Sequence, residues 1–245
     1  MIYQSINQAV FAQVPAGTRR LLDVGCGGGL FGSAVKAAMP CEVVGLTHSE
    51  AEAAQARRLI DRVEVVDLNT ADLSGLGQFE CIVCSHVLEH LIDPVQLLSQ
   101  LHALMRPEGS LLVALPNVLH WKQRLEFIRG RFEYTEGGLM DRTHLRFYDW
   151  HGARRLLSDA GLSLRDAHAD GGLPCSRWFG ASRARALDRL ALARFPGLFG
   201  FQFVFRCEWP ASEAARSDRA GEASIRPPGA GAASMGSRVA ADEAR

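Results

Sequence analysis

Arg20-Leu-Leu-Asp-Val-Gly25-Cys-Gly-Gly-Gly29-Leu-Phe-Gly-Ser-Ala-Val-Lys-Ala-Ala-Met39 runs from a short apolar segment, through a glycine-rich turn, into a helical pattern. The apolar run Leu21, Leu22, Val24 reads as a buried strand, and Leu30, Phe31, Val35 recur at helical spacing. Glycines at such a junction allow a tight turn and let a ligand approach bare backbone. The first N–H groups of the following helix are then free to meet a carboxylate or phosphate. Two patterns overlap here. Gly27-x-Gly29-x-x-Gly32 fits a dinucleotide fingerprint, whereas Asp23-x-Gly25-x-Gly27-x-Gly29 places an acid two residues before the first glycine. An anionic Asp23 suits a cationic amine better than a pyrophosphate, which it repels.

Outward from this turn the same alternation continues. Glu42–Leu46, Val63–Asp67, Glu80–Ser85 and Gly109–Leu115 read as strands. Ser49 with Glu52 three residues on is a capping-box start for a helix over 50–60. Asp93-Pro94 opens a helix with Leu97, Leu101 and Leu104 on one face, and a further helix runs from Trp150 to a stop at Gly161. Leu162–Ala167 and Gly200–Cys207 supply two more strands. Alternation of this kind predicts an α/β fold, a doubly wound, mostly parallel sheet with helices on both faces.

The 245 residues are 47% apolar and 22% charged, enough to bury a sizeable core. Twenty-seven basic residues balance 27 acidic ones, which argues against general nucleic-acid binding. All but Lys36 and Lys122 of the basic residues are arginine. No apolar run reaches the ~18 residues of a membrane span, and the first residues lack the pattern of a signal peptide. Cys26, Cys41, Cys81, Cys84, Cys175 and Cys207 read as reduced thiols, so a cytoplasmic protein is expected. Cys81 and Cys84 form C-x-x-C, but on a strand they face opposite ways, which favours packing over redox chemistry. From Ala211 to Arg245 the chain holds five Arg, five acids and almost no large apolar residue. It reads as a disordered tail behind a domain over 1–210.

The Asp-x-Gly-x-Gly-x-Gly turn resembles motif I of the class I S-adenosylmethionine-dependent methyltransferases. The resemblance continues through Asp67, Phe79-ECIVCSHVLEHLIDP and LMRPEGSLLVALPN to Asp141-RTHLRFYDW, which is similar to a bacterial subgroup often found with polysaccharide and glycan genes. It implies a Rossmann-like, seven-stranded sheet with an insertion over about 118–148 capping the acceptor side. It also implies S-adenosyl-L-methionine as cofactor, held by Asp23, Gly25, Cys26, Gly27 and Gly29, with Asp67 accepting from the adenine amino group, Leu68 beside the ring, and Ser85 and His86 nearby. One departure stands out: Thr47 occupies the place of the acid that would hold both ribose hydroxyls. Thr47 either makes a single hydrogen bond to the ribose or merely caps the turn.

His86-Val-Leu-Glu89-His90 is also literally H-x-x-E-H, a zinc-peptidase pattern, but it directly follows a predicted strand, and the family's own loop accounts for it. The small-RNA 2′-O-methyltransferases are similar in this loop and imply a metal at His86, Glu89, His90 and His144. The competing reading, and the one adopted, has no metal: Glu89 and His90 are loop residues beside the site and His86 lies near the cofactor. Methyl transfer requires alignment of an acceptor and management of one proton. His144 and His90 are the candidate bases, with Glu89 to orient them.

The insertion mixes basic and aromatic residues, among them His120, Trp121, Lys122, Arg131, Phe132 and Tyr134. That mixture suits a sugar with a phosphate, and equally a solvated amphipathic helix. Arg177–Arg206 carries six Arg and one acid, Asp188. It reads as a surface helix covering the sheet, or as a face for an anionic membrane carrying a lipid-linked acceptor. The expectation is an enzyme methylating a small-molecule or glycan acceptor at oxygen, anionic or lipid-linked acceptors included. The alternatives are a metal-assisted RNA 2′-O-methyltransferase and a non-catalytic module that kept the fold. The sequence leaves the oligomeric state open.

Overall fold

A computed structural model describes residues 6–174 and 181–210. Seven strands form one sheet: β1 Arg20–Val24, β2 Glu42–Thr47, β3 Arg62–Val65, β4 Phe79–Ser85, β5 Met105–Pro116, β6 Ser163–Gly171 and β7 Gly200–Glu208. Their order is β3-β2-β1-β4-β5-β7-β6. The β1–β2, β1–β4, β2–β3 and β4–β5 pairs are parallel, whereas β7 runs antiparallel to both β5 and β6. The strand order reverses direction between β1 and β4. In an open α/β sheet the crevice outside the carboxyl ends of two such strands is where ligands bind.

The described helices are α1 Gln8–Phe11, α2 Leu30–Ala38, α3 Glu50–Ala56, α4 Pro94–Leu104, α5 Trp121–Ile128, α6 Trp150–Asp159, α7 Ala181–Arg194 and α8 Pro196–Phe199. Strand side chains alternate faces, so each strand feeds two cores. Leu21, Val43, Cys81, Val83 and Leu112 pack with Val35 of α2 and Ala53 and Ala56 of α3. Leu22, Leu46, Ile82, Cys84, Leu111 and Phe205 pack with Leu97, Leu101 and Leu104 of α4 and Ala153 and Leu157 of α6. Cys81 and Cys84 thus lie in opposite cores, and burial pushes both thiols up; they pack, as the strand periodicity implied.

Local chemistry sets the helix starts. Asp93 Oδ1 accepts from the N–H groups of Val95 and Gln96 ahead of Pro94, and Asp149 Oδ1 accepts from Gly152 N–H. Several boundaries differ from expectation, among them the strand expected over 162–167, which spans Ser163–Gly171, and three have a visible local cause. The helix expected over 50–60 ends at Ala56; Arg57 caps it, and the Arg58, Leu59 and Ile60 N–H groups bond back into the last turn while Ile60 tucks into the core. The strand expected to end at Asp67 stops at Val65, because Asp67 folds its carboxylate onto the Asn69 N–H instead. β5 begins at Met105 rather than Gly109, with a register shift against β4 and Glu108 at φ 68°. The stretch from Ala211 onward, and Arg177, Trp178 and Phe179 of the basic segment, lie outside the described residues.

Candidate functional site

Asp23 sits one residue before the end of β1, paired in register with Gly45 of β2 and Val83 of β4. Sheet on both sides leaves it 3% exposed, and its Oδ2 is buried with no hydrogen-bond partner. Burial alone pushes its pKa up to about 7. A carboxyl group held dry at the mouth of a crevice, with nothing to bond, fits a cationic ligand group entering from outside.

The turn after it needs its glycines for different reasons. Gly25, Gly27 and Gly29 all have positive φ (75°, 51° and 83°), the region an L side chain avoids. A Cβ on Gly25 would come within 2.6 Å of Val87 Cγ2, and one on Gly29 within 2.9 Å of the Ala56 backbone. A Cβ on Gly27 would meet nothing within 4 Å. The outer side of the turn is therefore open. Cys26 anchors the turn through its N–H to the Leu46 carbonyl.

Thr47 ends β2, 3% exposed. Its hydroxyl donates to Glu52 Oε2 at 2.6 Å and accepts from the Ser49 N–H at 3.2 Å. Only half of the expected capping box forms: Ser49 Oγ accepts from the Glu52 N–H, but the Glu52 carboxylate turns to Thr47 instead of the Ser49 N–H. A carboxylate thus stands beside the position where the strand itself lacks an acid. The sequence contained the signal, an acid five residues after Thr47, but the capping reading absorbed it.

Asp67 is exposed, and hydrogen bonds from the Asn69 N–H and side-chain amide hold its carboxyl below the ordinary range. Leu68 packs at the margin of the core. Ser85 ends β4, its hydroxyl accepting from Asn7 Nδ2. His86 follows at φ 57°, a backbone that β-carbon residues seldom adopt. This turn aims its ring between Gln202 of β7 and Glu89: Nε2 lies 2.9 Å from Gln202 Oε1, and Nδ1 lies 3.3 Å from Glu89 Oε1. Burial opposes charge on His86, yet Glu89 and Gln202 hold its pKa above the ordinary value. Gln202 also bonds Asn7 and Asp170, so it ties the chain's first helix and last strands to the site. Sequence reading missed it, because nothing local marks a glutamine in a strand as a junction.

Glu89, His90 and His144 meet past the end of β4. Leu88–His90 is one 3₁₀ turn, and the 141–148 loop returns over it, with the Leu145 and Arg146 N–H groups both donating to the Glu89 backbone carbonyl. The His90 and His144 rings are edge-to-face with centroids 4.8 Å apart. One ligand-type atom from each of Glu89, His90 and His144 lies within 4.8 Å of the others. Glu89 is fully buried. Both its carboxylate oxygens, His144 Nδ1 and the Tyr148 hydroxyl are buried without partners. Among the described residues, every such orphaned side-chain atom belongs to Asp23 or to this cluster. Burial depresses the His144 pKa and raises that of Tyr148 to about 12. The sequence-predicted groups therefore fall into two adjoining sets, joined where Val87 packs on Gly25, two residues before Glu89.

Beyond the cluster, α5 and the 129–148 loop carry stacked and edge-on rings of Phe127, Phe132, Tyr134 and Phe147, the last also against His144. A cavity of about 350 Å³ opens among His120, Lys122, Glu126, Arg131, Met140 and Phe201.

A family model for a methyltransferase domain matches residues 5–167. The chain belongs to this family, with the fold of the class I S-adenosylmethionine-dependent methyltransferases. A probable S-adenosylmethionine-dependent methyltransferase of Mycolicibacterium smegmatis is 31% identical over 149 residues, 60% of this chain and 53% of that protein. The ubiquinone biosynthesis O-methyltransferase of Pseudomonas aeruginosa is 30% identical over 105 residues, 40% of this chain and 45% of that protein. The chain spans about half the length of these curated relatives. The crystal structure of an S-adenosylmethionine-dependent methyltransferase from Mesorhizobium loti matches with a TM-score of 0.57 at 19% identity, over 82% of this chain and 95% of that one. This last likeness is one of fold. No helix among the described residues is long and apolar enough to cross a membrane.

Proposed function

We propose that this protein transfers a methyl group from S-adenosylmethionine to a hydroxyl oxygen of a small-molecule or glycan acceptor. The observation that carries the reading is the orphaned, dry carboxyl of Asp23 in a turn whose outer side is open at Gly27. Asp23 takes the ammonium of the cofactor's methionine end, and the backbone of Cys26–Gly29 faces its carboxylate. Thr47, backed by Glu52, serves the ribose. Asp67 accepts from the adenine amino group, and Leu68, Ser85 and His86 complete that wall.

The bound cofactor supplies an already activated methyl on a sulfonium. The chain aligns an acceptor oxygen opposite the leaving sulfur and disposes of the hydroxyl proton. Glu89, His90 and His144 stand at that end, held to the cofactor turn through Val87. The 118–148 insertion acts as a cap, and its aromatic rings and the cavity at Lys122 and Arg131 offer stacking and charge to a sugar bearing an anionic group. Calorimetry with S-adenosylmethionine and S-adenosylhomocysteine tests the reading. Binding lost in Asp23→Asn supports it; no binding by the wild-type protein at millimolar ligand rejects it.

A further inference from the structure

We propose that the cavity bordered by α5 is a subsite for a sugar ring bearing one carboxylate, a hexuronic acid, with Lys122 taking the carboxylate and His120 reading a ring hydroxyl. The inference rests on the methyl-transfer reading for the ring's use as acceptor, not for its binding.

His120 is the N-cap of α5, yet its side chain makes no capping hydrogen bond. Residues favoured at that position cap with a side-chain oxygen. The imidazole packs edge-on to Phe201, ring centroids 5.9 Å apart, and tilts against Trp121 at 5.7 Å. The residue is 7% exposed, and among the described residues its ring has no hydrogen-bond partner. A buried polar ring of this kind is costly unless something supplies a partner. Its nitrogens are not sealed in, as Nδ1 of His144 is; they stay reachable through the cavity of about 350 Å³ that the residue lines. Burial and the neighbouring Lys122 charge hold its pKa below the ordinary value. At neutral pH it is then a neutral imidazole with one donor and one acceptor, the complement of a hydroxyl.

The rest of the lining sets shape and charge. Phe201, Leu139 and Met140 supply apolar surface for the C–H face of a ring. The charged lining is Lys122, Arg131, Glu126 and Glu133, two cations against two acids. Arg131 is already held by Glu126 at 3.4 Å. Lys122 has no ion-pair partner among the described residues and lies over the Trp121 ring, its Nζ 5.5 Å from the centroid. One open cation in a balanced lining accepts a single negative charge and resists a second. That favours a carboxylate over a phosphate dianion, and disfavours a nucleic acid. A cavity of about 350 Å³ stands at the small end of the ~300–1,000 Å³ range of ligand pockets, room for one ring.

The cavity also borders the candidate methyl-transfer end. Leu139 and Met140 run directly into the 141–148 loop that carries His144. Phe201 precedes Gln202, which bonds His86. A ring anchored at Lys122 can therefore turn another hydroxyl toward that end.

NMR titration of the full chain with glucuronic acid, glucose and glucose 6-phosphate, with and without S-adenosylhomocysteine, tests the subsite. Glucuronic acid should bind about tenfold tighter than the other two, as a charge-assisted hydrogen bond supplies. Lys122→Gln should erase that preference. His120→Phe keeps the edge-on contact with Phe201 and removes an unanswered polar ring. It should melt no lower than wild type, while affinity for glucuronic acid falls about tenfold; His120→Gln, which keeps a donor and an acceptor, should retain most of it. A purely structural His120 gives the reverse, a lower melting temperature with unchanged sugar affinity, and overturns its assignment. The subsite is also overturned if glucose 6-phosphate binds more tightly than glucuronic acid, if wild type and Lys122→Gln bind glucuronic acid equally, or if wild type binds no sugar. Calorimetry with S-adenosylhomocysteine runs beside these titrations: its failure in the wild-type protein rejects the methyltransferase reading, whereas cofactor binding without sugar binding rejects the subsite alone.

Discussion

The Thr47 hydroxyl donates to Glu52 Oε2 at 2.6 Å, so a residue on a helix lends its carboxylate to the end of a strand that has none. On the proposed function, a shared Thr–Glu pair meets the ribose hydroxyls. Glu52→Ala and Thr47→Val should each weaken S-adenosylhomocysteine binding about tenfold to 100-fold, as expected for hydrogen bonds to a charged group. The double variant should cost little more than either single change, because the two act as one unit. Calorimetric affinities for the four proteins decide this; strict additivity would detach Glu52 from the site.

On the proposed function, Asp23 should make cofactor affinity sensitive to pH. Its folded pKa of about 7 means that below neutrality the carboxyl must release a proton before pairing with an ammonium. Affinity for S-adenosylmethionine should fall about tenfold for each pH unit below 7 and level off above it. Titrations between pH 5.5 and pH 8.5 measure the slope, and a flat profile contradicts the assignment.

The same residue lowers the stability of the ligand-free protein. With its folded pKa raised from 3.8 to about 7, the native state keeps a proton that the unfolded chain has lost between those values. Stability therefore declines as pH rises through that window, by a full extent of about 4 kcal/mol. Asp23→Asn should melt higher than wild type at pH 8, show a smaller difference at pH 4, and bind no cofactor.

The glycines of the turn should separate folding from binding. Gly29→Ala drives a methyl into the Ala56 backbone and should destabilise the fold by about 1–3 kcal/mol. Gly27→Ala meets open space, so thermal melts should show only the ~1–2 kcal/mol cost of its left-handed backbone. Its methyl occupies ligand space, and cofactor affinity should drop far more than stability does.

Much of this fold was legible because the chemistry that builds it is local. Strand and helix alternation, the Asp93 and Asp149 caps and the opposite facing of Cys81 and Cys84 all follow from neighbours in the chain. What sequence could not give is contact at a distance. His144 stands 54 positions after His90, Gln202 reaches His86 across 116, and the His90 ring is held by Thr143, 53 positions on. Boundaries went astray where a side chain outcompeted the ladder, as Asp67 did by bonding Asn69. The carboxylate beside Thr47 was hidden in the sequence because Glu52 already had a plausible local duty.

The antiparallel course of β7 has a consequence for how the protein comes to life on the ribosome. Because that strand runs backwards between β5 and β6, its beginning, not its end, lies at the ligand edge, and Gln202 there joins Asn7 across 195 positions. The glycine turn after β1 emerges early in synthesis, yet His86 lacks Gln202 until β7 has left the exit tunnel. A nascent chain is thus expected to build the glycine turn well before the contact between His86 and Gln202 can form.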